Sequence, residues 1–506
     1  MDHRYIKKMH VVLIVALTLA FGFASFVSGA EYSLFTGDLN SILQSNANSP
    51  SLLSNQPQAR QWRQISLNPV IASQNVLSEK DILNLSLFAG TTYSAYIDNI
   101  STNIKGTITI RGRIDGFPLS YMLISTTGNR SLGSICIPEK NEFYIIQNEP
   151  GNRTHYLLNV DPNQLDKLKD EPSPVAPLSS TRQPSEFELF TNTLANNPLD
   201  TVTIDVMIVY TPAARAWADT YGGGISNIIA QAVAKGQLVL DNSNTYVTLN
   251  NVYSGEISYT ESDDAETDLN RLTYTSDDYM NDVHTLRNQY NADVVGLLTY
   301  SSTYTGIGWL MPDNADFAFS ITNVQVASWS YTYIHEIGHN MGCGHHKDQY
   351  TQPGSGWFNY SAGWRWIGTD SGKYCSVMCY ESGDEYPDGQ THTRVPYFSN
   401  PNILYKGVAT GNSDDGDNAR TIRETKFAIS DYLSGGSSST FIDIGLRYYD
   451  GTKIVKIACE QGTPTSPLRI SKNGTTYGLA LVDRDDPYAT GIIIQTSSGP
   501  KAIRKL

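Results

Sequence analysis

The chain has 506 residues, of which 40% are hydrophobic and 17% are charged. This composition is ordinary for a globular protein, and the length predicts two to four domains. The formal net charge of −14 argues against a nucleic-acid-binding protein, because such proteins present basic surfaces. We therefore expect no nucleic-acid partner.

The first thirty residues predict export. Three basic residues precede the apolar run 11–26, and Ser28 and Ala30 place small side chains just before a cleavage position. This is the pattern of a secretory signal peptide, with cleavage expected after Ala30. An uncleaved membrane anchor is the alternative, since the run is close to the minimum length for a span. No later segment reaches the length of a span, so we expect a secreted protein, free or attached to the cell surface, with no stable membrane span after signal removal.

Residues 31–198 predict a β-rich region. Apolar and polar residues alternate from Thr107 to Ile114, and further apolar runs follow at 121–124 and 143–146. Glycine and asparagine separate these runs, as expected for antiparallel strands. The region ends in a proline-rich stretch at about 170–184, which predicts an extended linker.

From Leu199 onward the pattern changes to alternating strands and helices. The near-continuous apolar run 202–210 predicts a central strand that is buried on both faces. Apolar residues at helical spacing predict helices, and short apolar runs predict further strands. We expect helices over 213–221, 225–241, 329–341 and 419–432, strands over 247–252, 293–300 and 317–322, and mixed helix and loop over 267–290.

The most specific motif runs from His335 to His345 and contains His339, Glu336 and Gly342. Two histidines four apart on a helix face one point, about one turn apart along the axis. Gly342 is expected to end this helix, because glycine adopts a left-handed C′ conformation at low cost. The chain can then return His345 as a third ligand, which leaves the fourth position of a catalytic zinc for water or substrate. Glu336, beside the first ligand, is placed to act as general base on that water.

Five fixed positions would match by chance in a chain of this length with a probability on the order of 10⁻⁴. This disfavours the alternative of histidines on a solvated helix. The sequence therefore predicts a zinc hydrolase with His335, His339 and His345 as the metal ligands and Glu336 as the catalytic base.

The motif matches the long zinc signature His-Glu-x-x-His-x-x-Gly-x-x-His, and the sequence therefore resembles the metzincin clan of metallopeptidases. This clan also has a tight turn that carries a methionine beneath the metal, and Met378 in the segment Cys375–Tyr380 fits it. By this resemblance Met378 is a structural residue, the floor of the metal site.

Further segments resemble adamalysin-like (reprolysin-like) and peptidyl-Asp-type secreted metallopeptidases. They are the strand segment 204–212 and the closing segments 398–401 and 417–420, so the resemblance covers about residues 200–433. One position departs from it. Many adamalysin-like enzymes carry aspartate directly after the third histidine, where this chain has His346.

The resemblance implies the domain organisation. We expect an α/β (α+β) catalytic domain of metzincin type over 199–434, with a mixed sheet and the zinc helix above an irregular lower lobe. Residues 31–198 would then be a propeptide that keeps the site latent, so that the protein is made as a zymogen. The strand at 317–322 is expected to lie nearest the substrate cleft and, if it forms the sheet edge, to accept a peptide as an additional strand.

Two more site residues follow from the resemblance. In astacin-like and serralysin-like relatives a tyrosine two residues after the methionine reaches the zinc, which suggests that Tyr380 stabilises the tetrahedral intermediate; a packed tyrosine is the alternative. Arg394 follows the methionine turn, where this clan builds the wall of the pocket for the residue after the scissile bond. An arginine there would favour Asp or Glu in the substrate; a solvated arginine is the alternative.

Five cysteines fit an oxidising compartment but define no disulfide framework. We expect a disulfide from Cys343 to Cys375 or Cys379, which would join the metal turn to the methionine turn; zinc ligation by Cys343 is a rival. Cys136 is expected to be a buried strand residue, with a thiolate that blocks the zinc as the alternative. Cys459 lies in another region and is expected to be free.

Two features towards the carboxyl terminus are less informative. The acidic run 414–418 is compatible with a Ca²⁺ site built from side-chain and backbone oxygens, or with a plain acidic turn. A Gly/Ser linker at 435–439 is followed by short apolar runs, which predict a small β domain over 440–506. The sequence does not indicate the role of this domain or the oligomeric state.

The sequence thus predicts a secreted metalloendopeptidase with one catalytic Zn²⁺, which acts on protein or peptide substrates. The alternative is a catalytically silent, zinc-containing surface or binding protein. The presence of Glu336 disfavours that alternative, because a structural zinc site needs no base.

Overall fold

The structure is a computed structural model, and it describes residues 29–37, 50, 53, 59–73, 75–151, 154–161, 197–310, 314–354 and 356–433, together with the strands between 441 and 504. Residues 1–28 of the predicted signal peptide and the proline-rich linker at 170–184 lie outside the described residues. Among the helices that are described, none combines the length and the hydropathy that a membrane span requires.

Nine strands form the sheet of the N-terminal region, in the order β1-β3-β4-β5-β6-β7-β8-β9-β2. Their bounds are β1 Glu31–Ser33, β2 Ala59–Ile65, β3 Ile82–Phe88, β4 Thr91–Thr102, β5 Ile108–Ile114, β6 Tyr121–Thr127, β7 Arg130–Ile137, β8 Glu142–Asn148 and β9 His155–Val160. The three predicted strand runs of this region coincide with β5, β6 and β8. All neighbours pair antiparallel except β1 and β3.

The two outer strands of this sheet meet and close it. Just after β1 and β2, the Thr36 amide donates to Ser66 O (2.8 Å) and the Asn68 amide donates to Leu34 O (2.9 Å). Closure removes the exposed edges that an open sheet would present. We call the described residues of 29–161 the N-terminal barrel.

The barrel interior is mainly apolar, but it also holds the charged side chain of Arg63. Leu83, Leu85 and Leu87 of β3 alternate with partly exposed polar residues and are fully buried, as a strand with one face on a core requires. Arg63 of β2 is also buried, where its guanidinium donates to Leu87 O (2.5 Å) and Ser86 O (2.7 Å). Burial lowers the pKa of Arg63 to about 10.

Five strands form the sheet of the catalytic domain: β10 Val202–Tyr210, β11 Val247–Glu256, β12 Val294–Thr299, β13 Gly306–Gly308 and β14 Phe319–Asn323. Their order is β11-β10-β12-β14-β13, and all pairs are parallel except β13 with β14. The predicted mixed sheet is confirmed. The prediction that 317–322 could form the edge is wrong, because β14 is an inner strand and the short antiparallel β13 covers it.

Six helices accompany these strands: α1 Pro212–Tyr221, α2 Ile225–Asn242, α3 Ala265–Thr273, α4 Asn281–Tyr290, α5 Thr332–Asn340 and α6 Asn418–Ile429. Side-chain caps fix several of their starts. Thr211, Asp264 and Asp417 accept hydrogen bonds from amides in the first turns of α1, α3 and α6, which satisfies donors that have no partner inside a helix.

Strand β10 is an inner strand of this sheet and is buried on both faces, as predicted. Ile204, Val206 and Ile208 on one face pack with helices α2 and α5, and Met207 and Val209 on the other face pack with α3 and α4. A strand buried on both faces needs a continuous apolar run, which is what 202–210 has.

The lower lobe is irregular, as predicted. Its strands have two or three residues each: β15 Arg365–Ile367, β16 Lys373–Cys375, β17 Thr393–Arg394, β18 Leu404–Tyr405 and β19 Val408–Ala409. Helix α6 then returns to the sheet, and Ile422 and Ile429 of this helix join the core beneath β10.

The carboxyl-terminal region consists of short strands. They are β20 Phe441–Ile442, β21 Arg447–Tyr449, β22 Ile454–Lys456, β23 Cys459–Glu460, β24 Arg469–Lys472, β25 Thr475–Leu479, β26 Leu481–Asp483, β27 Ala489–Thr496 and β28 Gly499–Arg504. They pair in sheets of four, two and three strands. The role of this region stays open.

Candidate metal centre

Helix α5 presents two of the three histidines. His335 and His339 lie one turn apart on the face that points away from the sheet core, while Ile334 and Ile337 pack into that core. The helix ends at Asn340, with Met341 as its C-cap, and Gly342 has a φ of 90°. This left-handed conformation favours glycine, so the predicted end of the helix is confirmed.

The turn after Gly342 brings His345 back to the helix. The Cys343 amide donates to Gly338 O (2.9 Å) and so satisfies one terminal carbonyl of the helix. Hydrogen bonds to the lower lobe hold the rest of the turn. The Trp357 amide donates to Gly342 O (2.8 Å), and the Gly344 amide donates to Ser361 O (3.1 Å). The third histidine therefore lies on a turn that two lobes of the domain support.

The three imidazoles converge through their Nε2 atoms. Nε2 of His335 lies 3.0 Å from Nε2 of His339 and 3.1 Å from Nε2 of His345. Tetrahedral zinc with Zn–N distances of about 2.0–2.1 Å separates its ligand nitrogens by roughly 3.3 Å. Each histidine is at most 2% exposed. Within the described residues this is the one cluster of three potential metal ligands, and its chemistry fits zinc.

The other ring nitrogens have partners that orient the ligands. Nδ1 of His335 lies 2.9 Å from Val377 O, and Nδ1 of His339 lies 2.9 Å from Cys343 O. A carbonyl can only accept, so it places the proton on Nδ1 and leaves the Nε2 lone pair for a metal. Burial lowers the pKa of His339, and the neighbouring histidines lower it further, which keeps the imidazole neutral as a ligand must be.

Gln349 contacts the third histidine, and sequence reasoning missed this residue. Its side-chain amide lies 3.2 Å from Nδ1 of His345, while its Oε1 accepts from the Tyr380 amide (3.2 Å) and the Tyr386 hydroxyl (3.0 Å). Gln349 is buried and therefore links the third ligand to the segment after Met378. A lone glutamine four residues after a motif carries no signal that would have identified it.

Glu336 faces the edge strand of the sheet. It is 1% exposed, and its carboxylate lies against the glycines of β13. A Cβ at Gly306 would come within 2.4 Å of Glu336 Oε1, and a Cβ at Gly308 within 3.2 Å of Oε2. Both distances are shorter than ordinary carbon–oxygen contacts. The two glycines thus give the carboxylate the space that it occupies, a role that sequence reasoning also missed.

Met378 lies where the resemblance places it, beneath the helix. It is fully buried in the core that includes α5, and a Cβ at Gly338 would come within 2.8 Å of its sulfur. The neighbouring Val377 supplies the carbonyl that orients His335. The methionine turn therefore contacts the metal helix at two points.

Tyr380 and Arg394 lie on the lower side of the site. The Tyr380 ring is 1% exposed and its centroid lies 4.9 Å from that of His345. The Arg394 side chain donates from Nε to Cys379 O (3.0 Å), and its amide donates to Glu381 Oε1 (2.7 Å). Tyr380 thus lies beside His345, whereas Arg394 contacts Cys379 and Glu381, and the predicted roles of both residues stay predictions.

His346 occupies the position of the family's aspartate. Its ring packs against Trp364 and Tyr386, at centroid distances of 6.0 and 5.6 Å. Its Nδ1 accepts from the Asp348 amide (3.1 Å), and burial lowers the pKa of His346 to about 4. A neutral, packed imidazole therefore replaces a carboxylate in the lower lobe.

The predicted disulfide is wrong. Cys343, Cys375 and Cys379 are buried free thiols, which face Asn418 O (3.7 Å), His392 O (3.9 Å) and Trp364 O (3.4 Å) respectively. Burial raises the pKa of Cys343, which disfavours the thiolate that zinc ligation needs. The side chain of Cys459 lies outside the described residues.

Cys136 was predicted to be either a strand residue or a thiolate that blocks the zinc, and the structure places it in a strand. It lies in β7 and packs in an apolar cluster with residues of the barrel and of α2. Burial raises the pKa of its thiol to about 12, so the group is neutral at physiological pH.

The acidic run 414–418 has other partners in the structure. Asp415 pairs with Lys347 (2.6 Å), and Asp417 accepts from the Arg420 amide as the cap of α6. Asp414 is exposed and its amide donates to Asn412 Oδ1 (2.9 Å). These contacts are those of an acidic turn.

Comparison with known proteins gives the relatives of this chain. Residues 200–393 match the family Reprolysin_5, described as metallo-peptidase family M12. The chain is 31% identical over 317 residues to a "Peptidyl-Asp metalloendopeptidase" of Stenotrophomonas maltophilia (strain R551-3), which covers 62% of this chain and 70% of the relative. A protein of the same name from Xanthomonas campestris pv. campestris is 30% identical over 312 residues, with the same coverage.

A solved structure, "metalloproteinase-II from Bacteroides fragilis", matches 55% of this chain and 85% of its own, with 11% identity and a TM-score of 0.35. A likeness this low carries no argument about the fold. The relationship rests on the sequence matches.

Proposed function

The chain belongs to metallopeptidase family M12, and from this premise we propose that it is a secreted zinc metalloendopeptidase, made as a zymogen, in which Glu336 is the general base. As a member of this family it is a hydrolase of peptide bonds, and protein or peptide substrates follow from that class. One observation carries the proposal. Three buried imidazoles converge through their Nε2 atoms, next to a buried carboxylate.

Zinc bound by His335, His339 and His345 would acidify a water molecule and polarise the scissile carbonyl. Glu336 takes the proton of the attacking water on its carboxylate and then delivers it to the nitrogen of the departing amine. The Tyr380 hydroxyl donates a hydrogen bond to the oxyanion that develops on the carbonyl. Met378 takes no part in the chemistry and supports the helix from below.

The substrate binds along β13 in this proposal. The strand is the sheet edge next to Glu336, so one row of its backbone groups is available for an additional strand. Main-chain pairing of this kind tolerates many sequences, and selectivity must come from side-chain pockets.

Arg394 supplies that selectivity. It follows the methionine turn, and the bond from Nε to Cys379 O fixes its guanidinium one residue from Tyr380. A guanidinium recognises a carboxylate better than an amide of the same shape. We infer a preference for an acidic residue after the scissile bond, and the name of the two relatives, peptidyl-Asp metalloendopeptidase, supports aspartate.

Export and latency complete the proposal. The basic and apolar pattern of residues 1–30 supports secretion, and the linker at 170–184 is the segment whose cleavage would release the active enzyme. Latency in this proposal comes from the linker rather than from Cys136, whose thiol is neutral and half-buried in strand β7. A Ca²⁺ site at 414–418 stays a prediction and has no part in the mechanism.

The test of selectivity compares two peptides that differ by Asp or Asn after the scissile bond. Arg394→Gln should reduce the ratio of kcat/KM for the two peptides from about 10²-fold towards unity, because a charge-assisted pair contributes about 1.5–3 kcal/mol. Arg420→Gln on the exposed side of α6 serves as the matched control. An unchanged ratio in a folded, zinc-loaded Arg394→Gln enzyme would contradict the assignment.

A further inference from the structure

The N-terminal barrel contacts helix α2 of the catalytic domain through a line of polar side chains. Asn227, Gln231 and Lys235 lie four residues apart, so they share one face of α2, and each is 1% exposed. Such side chains are rarely buried without hydrogen bonds. Their burial therefore depends on the surface that covers this face.

The barrel supplies partners for the first two. Nδ2 of Asn227 donates to Arg130 O (3.0 Å), and the Thr127 hydroxyl donates to Asn227 Oδ1 (2.8 Å). Nε2 of Gln231 donates to Leu132 O (3.1 Å) and to Ser125 Oγ (3.2 Å). Side-chain amides with specific partners on strands fix the register of the docked barrel.

Lys235 connects the barrel to the segment that precedes the metal helix. Its Nζ donates to Trp329 O (2.6 Å) and lies 5.7 Å from the ring centroid of Tyr121 in the barrel and 5.5 Å from that of Tyr331. Tyr331 is the N-cap residue of α5. A buried ammonium needs such acceptors and ring faces to offset its lost hydration, so the barrel contributes to the support of α5.

An apolar cluster lies beyond the polar line. Leu238 of α2 is 1% exposed, and the other fully buried members of its cluster all belong to the barrel: Tyr121, Leu123, Phe143, Ile145, Leu158 and Val160. Leu132 of the barrel in turn packs into the core of the catalytic domain. Each unit thus completes an apolar core of the other.

Three peripheral contacts extend the interface. Arg111 pairs with Asp241 (2.5 Å), and Arg113 donates to Asn242 Oδ1 (2.7 Å), both at the end of α2. On the lower lobe, Leu119 packs against an aromatic cluster that consists of Trp364, Trp366, Tyr374, Tyr397 and Tyr405 with Ile403, Val395 and Val408. The barrel therefore spans both lobes.

We propose that the N-terminal barrel is retained after the linker is cut, as a non-covalent subunit that stabilises the metal helix of the mature enzyme. The inference rests on the proposed function, because it concerns the fate of the barrel once the zymogen has been processed. A segment that only blocked the cleft would need no shared core with α2. Separation of the barrel from the catalytic domain would expose the Leu238 cluster to water and would remove the Tyr121 ring that faces Lys235.

The test uses the full chain without residues 1–30, with a recognition sequence for a site-specific protease placed within 170–184. Glu336→Gln is included so that self-digestion cannot occur. After cleavage, gel filtration is run in about 0.15 M and about 1 M NaCl. If the barrel is retained, both fragments should elute together at the volume of the uncut chain at both salt concentrations. Salt does not screen the burial of apolar groups. Elution of a folded barrel on its own at either concentration would overturn the proposal.

A pair of variants locates the interface. Leu238→Asp should raise the dissociation constant of the two fragments about 10- to 100-fold, from the burial energy of one leucine. Leu404→Asp is the matched control, since Leu404 is 62% exposed on the same domain. Equal dissociation constants in the two variants, with circular dichroism showing both folded, would contradict the assigned surface. The assay does not measure peptidase activity, so its failure is distinct from a failure of the proposed function.

Discussion

Gly306→Ala tests whether the position of Glu336 depends on the glycines of β13. A Cβ at this position would lie 2.4 Å from Glu336 Oε1 and 2.8 Å from Thr332 Cγ2. Ordinary contact needs about 3.4–3.5 Å, so the carboxylate has to move by about 1 Å. A misplacement of this size costs on the order of 10²-fold in rate, or about 2.7 kcal/mol of barrier.

The assay is kcat on a peptide substrate, with zinc content and thermal stability measured on the same samples. We expect kcat to fall about 10²-fold while the protein keeps one zinc per chain, since the three atoms nearest this Cβ belong to Glu336 and Thr332 rather than to one of the three histidines. Gly296→Ala in the neighbouring β12 is the matched control, because its Cβ meets only the Tyr333 ring at 3.3 Å. A folded, zinc-loaded Gly306→Ala enzyme whose kcat is within about twofold of the original would refute the reasoning.

The remaining predictions concern the base, the ligands and two buried charges. Glu336→Ala should keep its zinc, while its kcat should fall about 10²–10⁴-fold. His339→Ala should contain no zinc when its metal content is measured, and it should unfold more easily. The reverse pattern would contradict both assignments. Lys426 is fully buried, and its Nζ lies within hydrogen-bond distance of four backbone carbonyls, which share its three donors. Lys426→Met should therefore cost about 2–4 kcal/mol in denaturant unfolding, while Lys347→Met on the surface should cost under about 1 kcal/mol. Burial raises the pKa of Asp293 to about 6, so its contribution to stability is fully present below about pH 4 and is lost as the pH rises through about 6. Between about pH 7 and pH 4, the free energy of unfolding of the original protein should therefore rise by up to about 2–3 kcal/mol relative to that of Asp293→Asn. If the free energies of unfolding of the two proteins change in parallel with pH, this prediction is contradicted.

The convergence of the three histidines could be predicted from the sequence because their geometry is local. Two histidines at helical spacing, a glycine in the left-handed region and a third histidine after the turn require only the helix and its end to be correct. The central strand was equally accessible, since a run buried on both faces needs apolar residues throughout.

Contacts between distant segments could not be predicted. Strand β13 has three residues and two glycines, so it has no periodicity, and the sequence offered only 317–322 as a possible edge of the sheet. Gln349 meets His345 and Tyr380 only because two loops of the lower lobe converge. Closure of the barrel likewise depends on residues 34–36 and 66–68, whose pairing no local pattern indicates.

The wrong disulfide has the same cause. Cys343, Cys375 and Cys379 are close to the metal motif in sequence, but each thiol faces a different backbone carbonyl. Proximity along the chain does not determine which way a buried side chain points, and a disulfide requires specific geometry at both Cβ atoms.

Digestion of casein by the purified protein without residues 1–30 tests the central claim most directly. The reaction is run with and without a chelator, and mass spectrometry identifies the new ends of both casein and the enzyme. We predict cleavage that the chelator abolishes and added zinc restores, acidic residues after the cleaved bonds, and self-cleavage between residues 162 and 198. Failure to cleave casein after the linker has been cut deliberately, with one zinc per chain verified, would contradict the assignment of a metalloendopeptidase.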